Sequence, residues 1–302
     1  MAEFNHYSVL LAEAVEGLCV KPGGKYIDGT AGGGGHSLEI AKRLEDGRLW
    51  CVDQDSDAIA AATERLKDHL SKVTFVKDNF ENIENIDTEG GIDGLLLDLG
   101  VSSYQLDTAE RGFSYMQDAP LDMRMNREAD FSAYNVVNDY SEEELTRVLR
   151  DWGEEKFARK IARNIVASRP VSTTGELVEI VKRSVPKSND PHPEKRSFQA
   201  VRIETNRELD IIEPTIEAAV RMLNPGGRIC IITFHSLEDR IVKQTFARLS
   251  SGCTCPPGFP VCVCGNKPKG KVITRKPILP GEKELEENSR SKSAKLRIFE
   301  KI

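Results

Sequence analysis

The sequence predicts an α/β fold: a parallel, doubly wound sheet interrupted by an inserted, mainly helical domain. Three observations predict it. Short, nearly continuous apolar runs recur with helical stretches between them, the pattern of strands covered on both faces. The first of these runs ends in a dense glycine turn that opens a helix. The distance between the fourth and fifth runs far exceeds one crossover helix, so chain has been inserted there.

Taken in order, the strands fall at residues 25–28 (KYID), 49–53 (LWCVD), 73–76 (VTFV), 92–99 (IDGLLLDL) and 228–234 (RICIITF). Helices are expected over 37–44, over 56–70 with Ser56 as N-cap, and over 207–223, where Asn224-Pro225-Gly226-Gly227 stops the helix and leads into a strand. The insert spans 106–200, leaving 1–105 and 201–302 to the sheet domain. Its segments 141–153, 154–168 and 173–185 have helical periodicity, with N-caps at Ser141 and at Thr173 or Thr174. Near the end, 271–279 (KVITRKPIL) and 294–302 (AKLRIFEKI) suit an antiparallel pair that closes the sheet.

Composition narrows the class. The N-terminal stretch has neither a basic region nor an unbroken apolar run, and no later stretch approaches a membrane span, so a cytoplasmic protein without a membrane partner is expected. A net charge of −6 argues against coating nucleic acid through bulk charge, which leaves RNA contact to local basic surfaces. Of the seven cysteines, Cys19, Cys51 and Cys230 stand alone in apolar settings, unlike a secreted disulfide framework.

The chemistry concentrates at strand ends. Asp28-Gly29-Thr30-Ala31-Gly32-Gly33-Gly34-Gly35-His36 lets backbone approach a ligand closely, with Gly32, Gly34 and Gly35 as the contacting glycines. No Gly-Lys-Ser/Thr ending makes it a P-loop, and Ser37 stands where the dinucleotide pattern needs its last glycine; the run fits D-x-[GT]-x-G-x-G, the methyltransferase form. Asp53 closes the second strand roughly twenty residues later, where a carboxylate accepts both ribose hydroxyls of either NAD or S-adenosylmethionine. A cap for the helix at Ser56 is its plain alternative. Asp78-Asn79-Phe80 offers a polar pair and a ring to an adenine, and Asp98-Leu99-Gly100 ends the fourth strand. His36 either hydrogen-bonds the backbone or closes over the cofactor. His235 is either a strand-end residue reachable by substrate or a buried, hydrogen-bonded histidine.

These motifs, with LLLDLGVSS, ERGFSYMQDAPLDMRM, FQAVRIETNREL, LNPGGRICIITFHSLEDRIVK and RSKSAKLRI, resemble the ribosomal RNA small-subunit methyltransferase H family from His6 to the C-terminus. The resemblance implies a Rossmann-like S-adenosylmethionine-dependent methyltransferase fold with a helical insert, and methylation of N4 of a decoding-centre cytidine in 16S rRNA of the small subunit. Carried over by motif, cofactor contacts fall on Gly34, Gly35, His36, Asp53, Phe80, Asp98 and Gln105. One departure bears on Gln105: Tyr104 stands where the family usually has proline, which removes a φ restriction from the loop. Alternatives left open are another amine acceptor, such as adenine N6 or a protein amide, and a cofactor-binding ribosome-assembly factor.

Cytosine N4 is a weak nucleophile because its lone pair is delocalised, so the enzyme must orient it in line with the methyl group. Asp98 and the loop 100–103, with the hydroxyls of Ser102 and Ser103, are the candidate orienting edge; loop or cap residues are the alternative for the two serines. Lys156, Arg159, Lys160 and Arg163 recur at helical spacing, either a phosphate-binding face or solvated surface. Lys267, Lys269, Lys271, Arg275 and Lys276 form a second basic candidate, and Phe113, Tyr115 and Trp152 are candidate platforms for an extruded base. Cys253, Cys255, Cys262 and Cys264 either hold a zinc or are free thiols.

Overall fold

The computed structural model describes residues 8–186, 191–252, 255 and 264–302. A first stretch holds α1 (Leu11–Leu18), β1 (Lys25–Asp28), α2 (Gly35–Arg43), β2 (Arg48–Asp53), α3 (Ser56–Arg65), β3 (Val73–Lys77) and β4 (Ile92–Asp98). A second holds α4 (Ser103–Asp107), α5 (Ala133–Asp139), α6 (Glu142–Asp151), α7 (Ala158–Val166), α8 (Thr174–Ser184) and α9 (Lys195–Asn206). The third holds α10 (Ile212–Met222), β5 (Leu223–Thr233), α11 (Ser236–Ser250), β6 (Gly270–Val272), α12 (Glu282–Glu287) and β7 (Lys295–Lys301). Met1–Gly100 and Leu209–Ile302 form one compact unit, and Val101–Glu208 forms another.

The first unit carries a seven-stranded sheet in the order β3-β2-β1-β4-β5-β7-β6. Strands β1 to β5 are parallel; β7 runs antiparallel to both β5 and β6, which is the expected closing pair. Chain order steps one way from β1 to β3 and the other way from β4 to β5, so a crevice opens at the carboxyl ends of β1 and β4. The apolar runs explain the sheet's stability. Leu95, Leu96 and Leu97 of β4 are fully buried, each contributing roughly 1.5–3 kcal/mol of apolar transfer. Val15 and Leu18 of α1, Ile40 of α2 and Ala62 of α3 share a core cluster with Tyr26, Leu49 and Leu96.

Two helix expectations are corrected. The N-cap of α3 is Asp55, whose carboxylate accepts from Asp57 N at 3.0 Å, and the helix ends at Arg65 before a 3₁₀ turn at Lys67–His69. The expected helix over 207–223 is broken: α9 ends at Asn206, Arg207 adopts φ 53°, and α10 starts at Ile212. Pro214 explains the late start, because proline lacks an N–H and is tolerated in a first turn where that donor has no partner. Strand β5 then begins directly at Leu223, and its register with β4 shifts between Ile92 and Gly94, around Gly226 at φ 79°.

The second unit is helical. Leu145, Val148 and Leu149 of α6, Ile161 and Ile165 of α7, Leu177 and Val181 of α8, and Phe198 and Val201 of α9 form its core. Ser141 and Thr173 cap α6 and α8 in reciprocal boxes with Glu144 and Glu176, each cap stabilising its helix by about 1 kcal/mol. Glu204 ties three elements together, accepting from Tyr140 Oη at 3.0 Å, Arg147 Nη2 at 2.9 Å and Trp152 Nε1 at 2.5 Å.

Candidate active site

Register places the acidic strand ends. Asp28 ends β1 level with Cys51 of β2 and Leu96 of β4, so Asp53 and Asp98 extend past it along their own strands. The chain after Asp28 turns against both: Gly29 N donates to Leu96 O and Ala31 N to Val52 O, each at 2.9 Å. Gly32 N then donates to Asp53 Oδ2 at 2.8 Å, and Asp98 N donates to Thr30 Oγ1 at 2.6 Å.

The glycine loop has a packed side and an open side. Gly32 and Gly34 sit at φ 49° and 77°, a region that side chains rarely adopt. A Cβ at Gly34 would lie 3.1 Å from Ala62 Cα, and one at Gly35 would lie 1.8 Å from Ser8 Oγ. At Gly33 nothing lies within 4 Å, so the loop backbone there is open to a ligand.

Asp53 does not cap α3. Its Oδ1 accepts from Asp55 N at 2.9 Å and its Oδ2 from Gly32 N at 2.8 Å, and the backbone N–H of Gln54 adds a third donor to the carboxylate. Burial pushes its carboxyl up to about 6 against these hydrogen bonds. Beside it, Asp78 Oδ1 accepts from Asn82 Nδ2 at 2.8 Å, Asn79 caps the 3₁₀ turn Phe80–Asn85, and the Phe80 ring is half-buried.

His36 has a fixed tautomer. Its Nε2 lies 3.1 Å from Val9 O, and a carbonyl only accepts, so Nε2 carries the proton and Nδ1 is bare. Burial holds the ring's pKa down to about 4, which keeps it neutral. The bare Nδ1 faces Asp98 Oδ2 at 3.7 Å. Burial, then the charges of Asp28, Glu238 and Glu284, push the Asp98 carboxyl well above the usual carboxylate range. About a quarter of the Asp98 side chain is open to solvent, yet its Oδ1 is buried and has no hydrogen-bond partner.

His235 is a cap. Its Nδ1 accepts from Glu238 N at 3.5 Å at the start of α11, and Glu238 Oε2 accepts from Phe234 N at 2.7 Å. Sequence reading missed three members of the Asp98 surroundings: Thr30, Glu238 and Glu284. Thr30 was legible as the third position of the glycine motif, whereas Glu284, whose Oε1 accepts from Leu10 N at 2.9 Å, carries no local signal.

Ser102, Ser103 and Gln105 belong to the second unit. Ser102 caps α4, its Oγ accepting from Gln105 N at 3.2 Å while Gln105 Oε1 accepts from Ser102 N at 3.0 Å. Lys156, Arg159, Lys160 and Arg163 are exposed on and just before α7, with Arg163 Nε 3.6 Å from Glu142 Oε1. Phe113 is corrected as a base platform: it is packed in the core. Trp152 is half-buried and committed to Glu204, and Tyr115 packs 5.3 Å from the His192 ring. In the first unit Lys267, Lys269, Lys271, Arg275 and Lys276 are exposed, with Lys271 paired to Glu300 at 2.7 Å. The four-cysteine zinc expectation includes Cys253 and Cys262, which lie outside the described residues. No helix among the described residues is long and apolar enough to cross a membrane.

The profile of the MraW methylase family matches residues 3–302. A ribosomal RNA small subunit methyltransferase H 2 from Agathobacter rectalis is 59% identical over 310 aligned residues, covering 99% of each chain. A ribosomal RNA small subunit methyltransferase H from Lachnospira eligens is also 59% identical, covering 99% of this chain and 98% of its own. The solved structure of an rRNA methylase from Streptococcus thermophilus aligns over 97% of this chain and 92% of its own, at 12% identity and a TM-score of 0.41.

Proposed function

The chain belongs to the MraW methylase family and is a methyltransferase; from that premise we propose that it transfers a methyl group from S-adenosylmethionine to N4 of a cytidine in 16S rRNA of the small ribosomal subunit, at the decoding centre. The observation that carries the choice of donor is Asp98, an acid at the end of β4 that is tied to the glycine loop through Thr30 Oγ1 and keeps about a quarter of its side chain open to solvent. S-adenosylmethionine supplies a methyl group on a sulfonium cation, and an acid surrounded by other acids is a site that favours a cation.

The residues divide the work. Gly32, Gly34 and Gly35 let backbone approach the donor, Asp53 takes the ribose hydroxyls, Phe80 stacks on the adenine, and His36 and Asp98 face the methionine end. Gln105 as a donor contact, and Ser102 and Ser103 as hydroxyls orienting the acceptor amine, enter by motif. The helical unit serves substrate recognition, with the exposed basic face of α7 meeting backbone phosphates. The enzyme works in the cytoplasm, where small subunits mature.

Methyl transfer needs no covalent enzyme intermediate; the acceptor amine loses its proton during or after transfer, and the chain's task is alignment. Mass spectrometry of rRNA nucleosides from a deletion strain tests the assignment: N4-methylated cytidine should disappear from small-subunit RNA and return when the wild-type chain is restored. Its persistence would reject cytidine N4 as the acceptor. Single-turnover transfer of a labelled methyl group separates the enzyme from an assembly factor that only binds.

A further inference from the structure

We propose that Asp98 is the charge selector of this site: it is neutral and turned toward His36 in the free protein, and it gives up one proton when a cation is seated beside the solvent-facing part of its carboxyl group. The proposal rests on the donor reading above and deepens it. It makes the site discriminate between a sulfonium donor and the neutral thioether product by a proton, in addition to any difference in shape.

The geometry sets up the neutral state. With Nε2–H committed to Val9 O, His36 can present only a lone pair to Asp98 Oδ2 at 3.7 Å. A carboxylate facing a lone pair is repelled, whereas a carboxylic acid O–H is attracted. Among the described residues no cation compensates from the packed elements: the groups acting on Asp98 are Asp28 from β1, Glu238 from α11 and Glu284 from α12, all acids, together with the neutral His36 from α2. Glu238 Oε2 accepts from the N–H groups of Phe234 and His235 while its Oε1 lies 3.0 Å from His235 Nε2, and Glu284 Oε1 accepts from Leu10 N, so these contacts hold both acids in place. Burial and the charges of these acids both favour the protonated form of Asp98.

Seating a cation reverses the balance. The O–H bond of Asp98 breaks, its electron pair stays on oxygen, and the proton passes to the buffer. The complex thus holds a cation against a carboxylate where the free site holds a carboxylic acid. A neutral thioether provides no such drive. Product would therefore leave a site that has taken its proton back.

Calorimetry on the full-length wild-type protein, repeated in phosphate and in Tris at one pH, counts the protons released per ligand bound. S-adenosylmethionine and sinefungin, which carries an ammonium in place of the sulfonium, should each release close to one proton more than S-adenosylhomocysteine. Protons lost from Asp53 on meeting the shared ribose cancel in that difference. The affinity ratio of S-adenosylmethionine to S-adenosylhomocysteine should rise roughly tenfold per pH unit until Asp98 is ionised in the free protein, then level off. In Asp98→Asn, tested on protein that still binds S-adenosylhomocysteine, the extra proton and the pH dependence of the ratio should both vanish. Should that variant fail to fold, the wild-type proton counts still decide. Equal counts for the three ligands would overturn the proposal while leaving the donor reading intact, and so would a difference that survives in Asp98→Asn. Failure of all three ligands to bind would remove the donor reading and this inference with it.

Discussion

Gly32 and Asp53, from the loop after β1 and the end of β2, are joined by a hydrogen bond of 2.8 Å from backbone N to Oδ2. Asp53 therefore shapes the glycine loop as well as offering oxygens to a ribose. Replacing it with Ala removes the loop tether and both hydroxyl acceptors. Hydrogen bonds to a charged group contribute roughly 1.5–3 kcal/mol each, so affinity for S-adenosylmethionine and S-adenosylhomocysteine should fall together, by about a hundredfold or more. Calorimetry measures both, and a loss confined to one ligand would contradict this role.

The two sides of the glycine loop should respond differently to one added methyl group. Gly34→Ala forces a side chain into φ 77° with its Cβ 3.1 Å from the Ala62 backbone, and should destabilise the fold by roughly 1–2 kcal/mol or more. Gly35→Ala meets chiefly Ser8 Oγ, a hydroxyl that can rotate away, so its cost should be smaller and should shrink further in a Ser8→Gly background. Urea denaturation of the three variants orders them. Gly35→Ala proving the more damaging would show the loop to be packed otherwise.

Asp28 gives a stability prediction with a definite sign. Burial raises its carboxyl from 3.8 to about 6 despite the 2.5 Å hydrogen bond from Ser37 Oγ. A raised pKa means that the folded state holds the proton more tightly than the unfolded chain does. This contribution is full below about pH 4 and is lost as pH rises through about 6, at most about 3 kcal/mol for a two-unit shift. Asp28→Asn cannot titrate, so wild type should lose stability relative to the variant between pH 4 and pH 7. Denaturant midpoints at those two pH values check it; a constant gap would mean that Asp28 is not raised.

Much of this site was legible because strand ends are a local property. Asp28, Asp53 and Asp98 each follow an apolar run, and the glycines after Asp28 mark the turn before any contact is known. Helix ends were harder. Asp55 took the capping position from Ser56 because a carboxylate one residue earlier reaches Asp57 N, and Pro214 moved the start of α10 to a place periodicity does not mark. The environment of Asp98 was not legible. Glu238 and Glu284 lie far along the chain, and only tertiary folding brings their charges to bear on the end of β4. His235 likewise became a helix cap through its local hydrogen bonds with Glu238, which a strand-end position does not reveal.

Recognition of the substrate should depend on a surface separate from the donor residues. An acidic chain gains little from non-specific counterion release, so it needs a shaped surface to hold folded RNA, and an assembled small subunit presents one where naked rRNA does not. The basic residues of α7 fit that task. Ile161 and Ile165 anchor the helix in its own unit's core, while Arg159, Lys160 and Arg163 remain exposed. Arg163 has a nearby acid, Glu142 at 3.6 Å, and that exposed pair is worth little in water. Replacing Arg159 and Arg163 together with Ala should weaken RNA binding roughly tenfold or more at moderate salt and lower the slope of log affinity against log salt by about 2, one for each phosphate that is no longer neutralised. Affinity for S-adenosylhomocysteine should stay unchanged, since Asp53, His36 and Asp98 belong to the other unit. Labelled methyl transfer to small subunits and to protein-free rRNA, for wild type and the double variant, reads both halves of the prediction. Equal activity on the two substrates would remove the need for an assembled particle, and an unaltered double variant would make this helix face ordinary solvated surface.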